Sequence, residues 1–237
     1  MAIDQNHLQA LKTISGKKSY SDDQAVIAPH VIEPRGKFSG KTALLLMPDS
    51  KEIVSEIVSY CYAHDIKIVP QGGNTGLVGG SIPDSSGNEI IISLKRMNKV
   101  LAKDPLNHTM TVQSGVILID AHKLADTINC QFPMHIASEG SAMIGGNISS
   151  NAGGINVLQY GVMRDLVLGL EVVLPNGDIW NGLTGLRKDN TGYDLKQLFI
   201  GGEGTLGIIT AATLKLFPRH KQKNTAFVAI KNMKAAV

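Results

Sequence analysis

Apolar residues recur along this chain with two different periods, and the switch between them divides it. "MAIDQNHLQALKTI" is weakly helical, and "APHVIEPRGKFSGKT" is a connection broken by Pro and Gly. "ALLLM" reads as a buried strand. After Pro48, Asp49 and Glu52 have the spacing of a capping box, which starts a helix. Ile53, Val54, Ile57, Val58 and Cys61 then fall on one face at helical spacing, so Cys61 reads as packed core and not as a nucleophile. "IKIV" and "NEIIISL" are strands, which makes the first third a strand–helix–strand unit with a partly parallel sheet.

Beyond residue 100 the pattern changes. "TMTVQ" alternates, and "VILIDAHKLADTIN" is helical with Ile117, Ala121, Leu124 and Ile128 on one side. "LEVVLPNGDIW" is a hairpin turning through Pro175, Asn176, Gly177 and Asp178. "GIITAATLKLF" and "AFVAI" add strands, so the second part is expected to be mainly antiparallel. The fold class that follows is α+β, in two subdomains.

Composition sharpens this picture at one point. The chain has 25 glycines in 237 residues, against about 17 at average usage (~7%). The hydrophobic content of 43% describes a chain able to build a core. A net charge of +3, with no basic block interleaved with aromatics, argues against nucleic acid as a partner. Cys61 and Cys130 have no metal-ligand spacing, the seven histidines are scattered, and no metal site is expected. With neither a leader pattern nor a membrane-length apolar run, the expected location is cytoplasmic, with peripheral membrane attachment left open.

The glycines concentrate in "PQGGNTGLVGGS" (70–81), "SEGSAMIGGNISSNAGG" (138–154) and "GGEGTLG" (201–207). A P-loop needs a lysine for the outer phosphates, and none lies between Lys67 and Lys95. A Rossmann turn needs a following helix, whereas "SIPDSSGNEIIISL" reads as turn and strand. Gly202, Gly204 and Gly207 match the Rossmann spacing, but β-patterned sequence follows them and they read as a turn between strands. What remains is a loop that neutralises phosphate with backbone N–H groups alone, an anion-binding nest. Such a nest suits a dinucleotide that is held, not a phosphate that is transferred. Ser141, Asn147, Ser149, Ser150 and Asn151 can bond phosphate oxygens or heterocycle edges, or simply their own backbone.

With "YGVMRDLVLGLEVVLPNGDI" and "KDNTGYDLKQLFIGGEGTLGIIT", the first two glycine stretches resemble the FAD-binding domain of the FAD-linked oxidases. This is the vanillyl-alcohol-oxidase-like, PCMH-type group, and the look-alikes are D-lactate, glycolate and D-2-hydroxyglutarate dehydrogenases. The resemblance runs from about Arg35 to about Phe217. It implies a PCMH-type fold of two α+β subdomains, the first with a small partly parallel sheet and the second mainly antiparallel, with FAD between them. The boundaries expected are 1–35 for an N-terminal helical segment and connection, 36–100 and 101–220 for the subdomains, and 221–237 for the start of a C-terminal cap domain, truncated or absent here.

Carried over by position, Pro70, Gln71, Gly72, Gly73, Asn74, Thr75, Gly76, Gly80 and Ser81 would wrap the pyrophosphate. Ser138, Gly140, Ser141, Gly145, Gly146, Asn147, Ser150, Asn151, Gly153 and Gly154 would line the stretch towards the flavin. Glu203, Gly204 and Ile209 would sit beside the ribose, adenine or flavin. Some relatives attach FAD covalently through a histidine at the position of Asn74, so non-covalent FAD is expected here.

The implied activity is oxidation of a small 2-hydroxy acid by hydride transfer to FAD, with an electron acceptor left unidentified. It needs a base and a cation for the carboxylate. His135 is read as packed, Arg35 and Arg164 as carboxylate binders or local structure, and no catalytic residue is assigned. The chain is therefore expected to be the FAD-binding portion of a longer enzyme. Alternatives are a flavin-carrying electron-transfer subunit without its own substrate site, or a UDP-N-acetylenolpyruvoylglucosamine reductase-like enzyme. A homodimer and a place in a multisubunit oxidase both stay open.

Overall fold

The computed structural model describes residues 3–222 and 224–236. The first unit comprises α1 (Gln5–Ser15), β1 (Tyr20–Ser21), α2 (Gln24–Ile27), β2 (Leu45–Leu46), α3 (Lys51–Ala63), β3 (Lys67–Gln71) and β4 (Glu89–Ser93). Its sheet runs β1-β2-β4-β3, with both β2 and β3 parallel to β4 and β1 antiparallel at the edge. Ile90, Ile91 and Ile92 are fully buried, because the central strand of a parallel sheet is covered on both faces.

α3 begins one position later than the capping-box spacing suggests. Ser50 is the N-cap and its Oγ accepts the Ile53 N–H at 3.3 Å. Asp49 is engaged elsewhere, accepting from the Arg96 guanidinium at 3.0 Å. The expected face is otherwise the buried one, with Val54, Ile57, Val58 and Cys61 in the core.

The second unit contains β5 (Val100–Asp104), β6 (Thr109–Gln113), α4 (Leu118–Asp126), β7 (Cys130–Gln131), α5 (Ile144–Ser149), α6 (Val157–Tyr160), β8 (Val167–Val173), β9 (Ile179–Gly182), α7 (Lys196–Phe199), β10 (Ile208–Lys215) and β11 (Phe217–Pro218). Its main sheet, β5-β6-β10-β8-β9, is antiparallel throughout, and β7 pairs with β11 beside it. The β8–β9 hairpin turns where expected, with Gly177 at φ +93°. α4 buries Leu118, Ala121 and Ala125, a face rotated from the expected one because Ile117 stands outside the helix as its N-cap. Leu124 and Ile128 are half-buried against the same core.

Two expectations fail. "AFVAI" forms no strand, and Phe227 is fully exposed; an apolar run makes a strand only where an edge is open to pair with it. The 201–207 turn does not join two strands, since the helix α7 precedes it and only β10 follows.

The two units share a core. Val173 of β8 and Ile208 of β10 pack among Leu11, Val54, Ile57 and Ile92 of the first unit. α3 also reaches across, Ser55 Oγ donating to the Gly177 carbonyl at 2.6 Å. That seam fixes the end of β3 against the start of β10, where the cleft opens.

Candidate functional site

A cleft of about 560 Å³ lies at the carboxyl ends of the parallel strands β3 and β4, roofed by α5 and the 201–207 turn. Of the residues carried over from the family pattern, it is lined by Pro70 to Gly76, Gly80, Ser81, Ser138, Gly145, Gly146, Asn147, Ser150, Asn151, Gly153, Glu203, Gly204 and Ile209. Gly140, Ser141 and Gly154 lie outside the lining. Ser149, one of the polar residues singled out in the second stretch, lines the cleft too, whereas sequence reasoning missed Leu77, Val78, Leu94, Ser114, Ile136, Met143, Ala152, Gly207 and Ile208. Most of these follow strand ends or flank the glycines. Ser114 carried no signal beyond its place just after β6.

Missing Cβ atoms are what bring the three stretches together. A Cβ on Gly73 would stand 2.0 Å from the Ser141 carbonyl oxygen, and one on Gly204 would stand 2.6 Å from Pro70 Cγ. Gly145 is similarly constrained, 2.6 Å from Ser114 Cβ. Gly76 and Gly146 differ: a Cβ there meets nothing within 4 Å and would project into open space along the cleft.

The first loop is held from behind. Gln71, at the end of β3, is buried; its Nε2 donates to the carbonyls of His30 at 2.9 Å and Ser81 at 2.8 Å. Its Oε1 faces His30 Nδ1, and burial holds the His30 imidazole below its ordinary pKa. Asn74 sits at φ +50°, donates to the carbonyls of Pro29 (3.1 Å) and Ile32 (2.9 Å), and accepts from Ser81 Oγ at 2.9 Å. All of this anchors the loop's back and leaves its amides free. Among the described residues, no N–H from Gly72 through Ser81 donates to a protein acceptor.

The 201–207 turn is docked on α5. The Gly201 N–H donates to the Ile148 carbonyl at 3.1 Å and the Glu203 N–H to that of Ser149 at 2.9 Å. Glu203 holds φ +51°, and among the described residues it is the one ionisable side chain on the cleft wall. Without a lysine or arginine in the lining, the donors that an anion meets here are uncharged: backbone amides, hydroxyls and side-chain amides.

Two side chains on the wall have polar atoms unused by the protein. Asn147 Nδ2 and Ser114 Oγ are buried and have no partner. Buried donors are almost always satisfied, so an orphan pair on a cleft wall fits a ligand carrying acceptor atoms. A dinucleotide with a heterocycle rich in carbonyl and ring-nitrogen acceptors meets both these donors and the free amides.

The remaining candidates lie elsewhere. The Arg164 guanidinium donates to the carbonyls of Gln197 and Ile200 and so holds α7, and it does not line the cleft. Arg35 donates to the Leu77 carbonyl and supports the first loop. His135 faces Glu139 and does not line the cleft. Cys61 is buried, and burial pushes its thiol up to about 12.

Comparison with known proteins places this geometry. A family model described as an FAD binding domain matches residues 42–182. D-2-hydroxyglutarate--pyruvate transhydrogenase of Saccharomyces cerevisiae is 46% identical over 196 residues, 83% of this chain and 39% of that protein. The mitochondrial D-2-hydroxyglutarate dehydrogenase of Arabidopsis thaliana is 40% identical over 231 residues, 98% of this chain and 41% of that protein. Among solved structures, alkyldihydroxyacetonephosphate synthase superposes with a TM-score of 0.81 at 26% identity, covering 91% of this chain and 41% of that one. The fold is the PCMH-type FAD-binding one that the resemblance implied. The expected cytoplasmic location is overturned, since the Arabidopsis relative and others from rat and cattle are named mitochondrial. No helix among the described residues is long and apolar enough to cross a membrane.

Proposed function

The chain belongs to the FAD-binding-domain family, and from that premise we propose that its cleft holds FAD non-covalently within a flavoenzyme that oxidises a D-2-hydroxy acid. The observation that carries the reading is the cleft wall, with free amides from Gly72 to Ser81 at one side and unpartnered Asn147 and Ser114 at the other. Bound there, FAD supplies a hydride acceptor for the carbon that bears the substrate hydroxyl.

The chain's own residues bind and orient. The 72–81 amides take the pyrophosphate without a cation, which suits a group that is kept and not transferred. Asn147 and Ser114 meet the heterocycle from the α5 side. Asn74 offers no nucleophile, and its amide is wholly spent on Pro29, Ile32 and Ser81, which supports non-covalent attachment. We read the cofactor as lying between the units 36–100 and 101–220.

The chain spans 39% and 41% of the lengths of these two relatives. The substrate's hydroxyl proton needs a base and its carboxylate a cation, and the wall offers Glu203 alone. Both groups are therefore to be sought outside this lining.

The test is anaerobic mixing of the FAD-loaded protein with D- and L-2-hydroxy acids. Loss of the flavin absorbance with the D forms alone supports the reading. Loss with neither, in a protein that holds FAD and is supplied with the base and carboxylate cation, removes the 2-hydroxy acid and leaves the flavin site standing.

A further inference from the structure

Apart from the cleft, one group of metal-ligating side chains converges among the described residues. His122 on α4 and His135 and Glu139 in the segment before the second glycine stretch offer ligand atoms that all lie within 4.8 Å of one another. The His122 and His135 rings are tilted by 39° to one another with centroids 4.3 Å apart. His135 Nδ1 is 3.1 Å and His122 Nδ1 3.9 Å from the same oxygen, Glu139 Oε2.

The hydrogen bond on the far side of His122 makes this unusual. Its Nε2 lies 2.7 Å from the Met134 carbonyl, which can only accept, so Nε2 carries the proton. In the neutral ring, Nδ1 is then an unprotonated acceptor 3.9 Å from a carboxylate oxygen, itself an acceptor. Metal-bound histidines are held in this way, the second ring nitrogen donating to a carbonyl while the first points at the ion.

We propose that His122, His135 and Glu139 bind a divalent zinc-like cation through the two Nδ1 atoms and Glu139 Oε2. Tetrahedral ligands about 2.0–2.2 Å from zinc stand roughly 3.3 Å apart, and the separations of 3.1 and 3.9 Å bracket that value. Two imidazoles with a carboxylate form a borderline donor set suited to zinc. His135 and Glu139 keep 43% and 33% of their side-chain surface exposed, enough for entry and for solvent to complete the coordination. The ion would pin α4 to a segment whose Ile136 and Ser138 line the cleft, so its role is structural and close to the flavin. Spacing alone gave no hint, because His122 and His135 come from different elements.

The test uses the FAD-loaded protein, stripped with a chelator and dialysed against Zn2+, with bound zinc counted. Wild type should hold one equivalent more than His122→Gln and Glu139→Gln, whose own affinity at this site falls by roughly 100-fold or more. Equal zinc in all three overturns the proposal. Should the variants lose their flavin, wild type decides alone through histidine carbethoxylation mapped by mass spectrometry. Zn2+ should shield His135 while leaving the exposed His220 reactive, and no shielding overturns the site.

Discussion

Lys51 Nζ lies 2.6 Å from Glu171 Oε2, joining the first turn of α3 in one unit to the middle of β8 in the other. Glu171 is buried, and its Oε1 also accepts from Thr210 Oγ1 at 2.9 Å. Replacing Lys51 by Met leaves that carboxylate without its cation, and we expect a loss of about 2–3 kcal/mol in urea unfolding, part of it tempered because Lys51 is itself half-exposed. The hydrogen bond to Glu171 raises the Lys51 pKa. Its contribution is therefore complete below the unfolded lysine value of about 10.4 and is lost as pH rises through the folded one. Wild type should weaken more steeply above that pH than Lys51→Met, and parallel slopes would show that the pair contributes nothing.

Removing an orphan should cost the folded protein little and the complex much. Ser114→Ala deletes a buried hydroxyl that no protein group satisfies, so the melting temperature without FAD should hold or rise. FAD affinity should drop by about 5–10-fold, the worth of one hydrogen bond of about 1 kcal/mol. An unchanged affinity in a fluorescence-quenching titration would remove Ser114 from the site.

The glycines separate into two kinds, and alanine tells them apart. Gly73→Ala forces a Cβ against the Ser141 carbonyl and should destabilise the protein by about 1–3 kcal/mol whether or not FAD is present. Gly146→Ala, inside α5 with open space at its Cβ, should stabilise the FAD-free protein by up to about 1 kcal/mol. It should nonetheless weaken FAD binding, because the methyl occupies the cleft. Thermal melts with and without FAD check both.

Cys61, whose thiol burial pushes up to about 12, should resist iodoacetamide at pH 8 in the folded protein and react in denaturant. Alkylation at the rate of an exposed thiol would mean that α3 does not pack as described.

Much of this was legible from the chain, for reasons the residues make plain. The unbroken apolar run at Ile90 to Ile92 and the alternation in "TMTVQ" each specify one kind of strand. The glycine stretches marked the cleft because three of them occur in one chain, each dense enough to let backbone approach a ligand or another segment closely. What stayed hidden depends on contacts between distant residues. Asp49 lost its capping role to an arginine far along the chain. "AFVAI" has the composition of a strand but no edge to join. Arg164, a candidate carboxylate binder by charge, is turned to the carbonyls of Gln197 and Ile200 away from the cleft lining, and only the packed chain reveals it.

The most direct measurement of the central claim is an absorbance titration of the FAD-free protein with FAD, followed by acid precipitation. One FAD should bind per chain with a shifted flavin band, and all of it should appear in the acid supernatant. Absence of binding would contradict the cleft as a flavin site, and flavin retained in the pellet would contradict non-covalent attachment at Asn74.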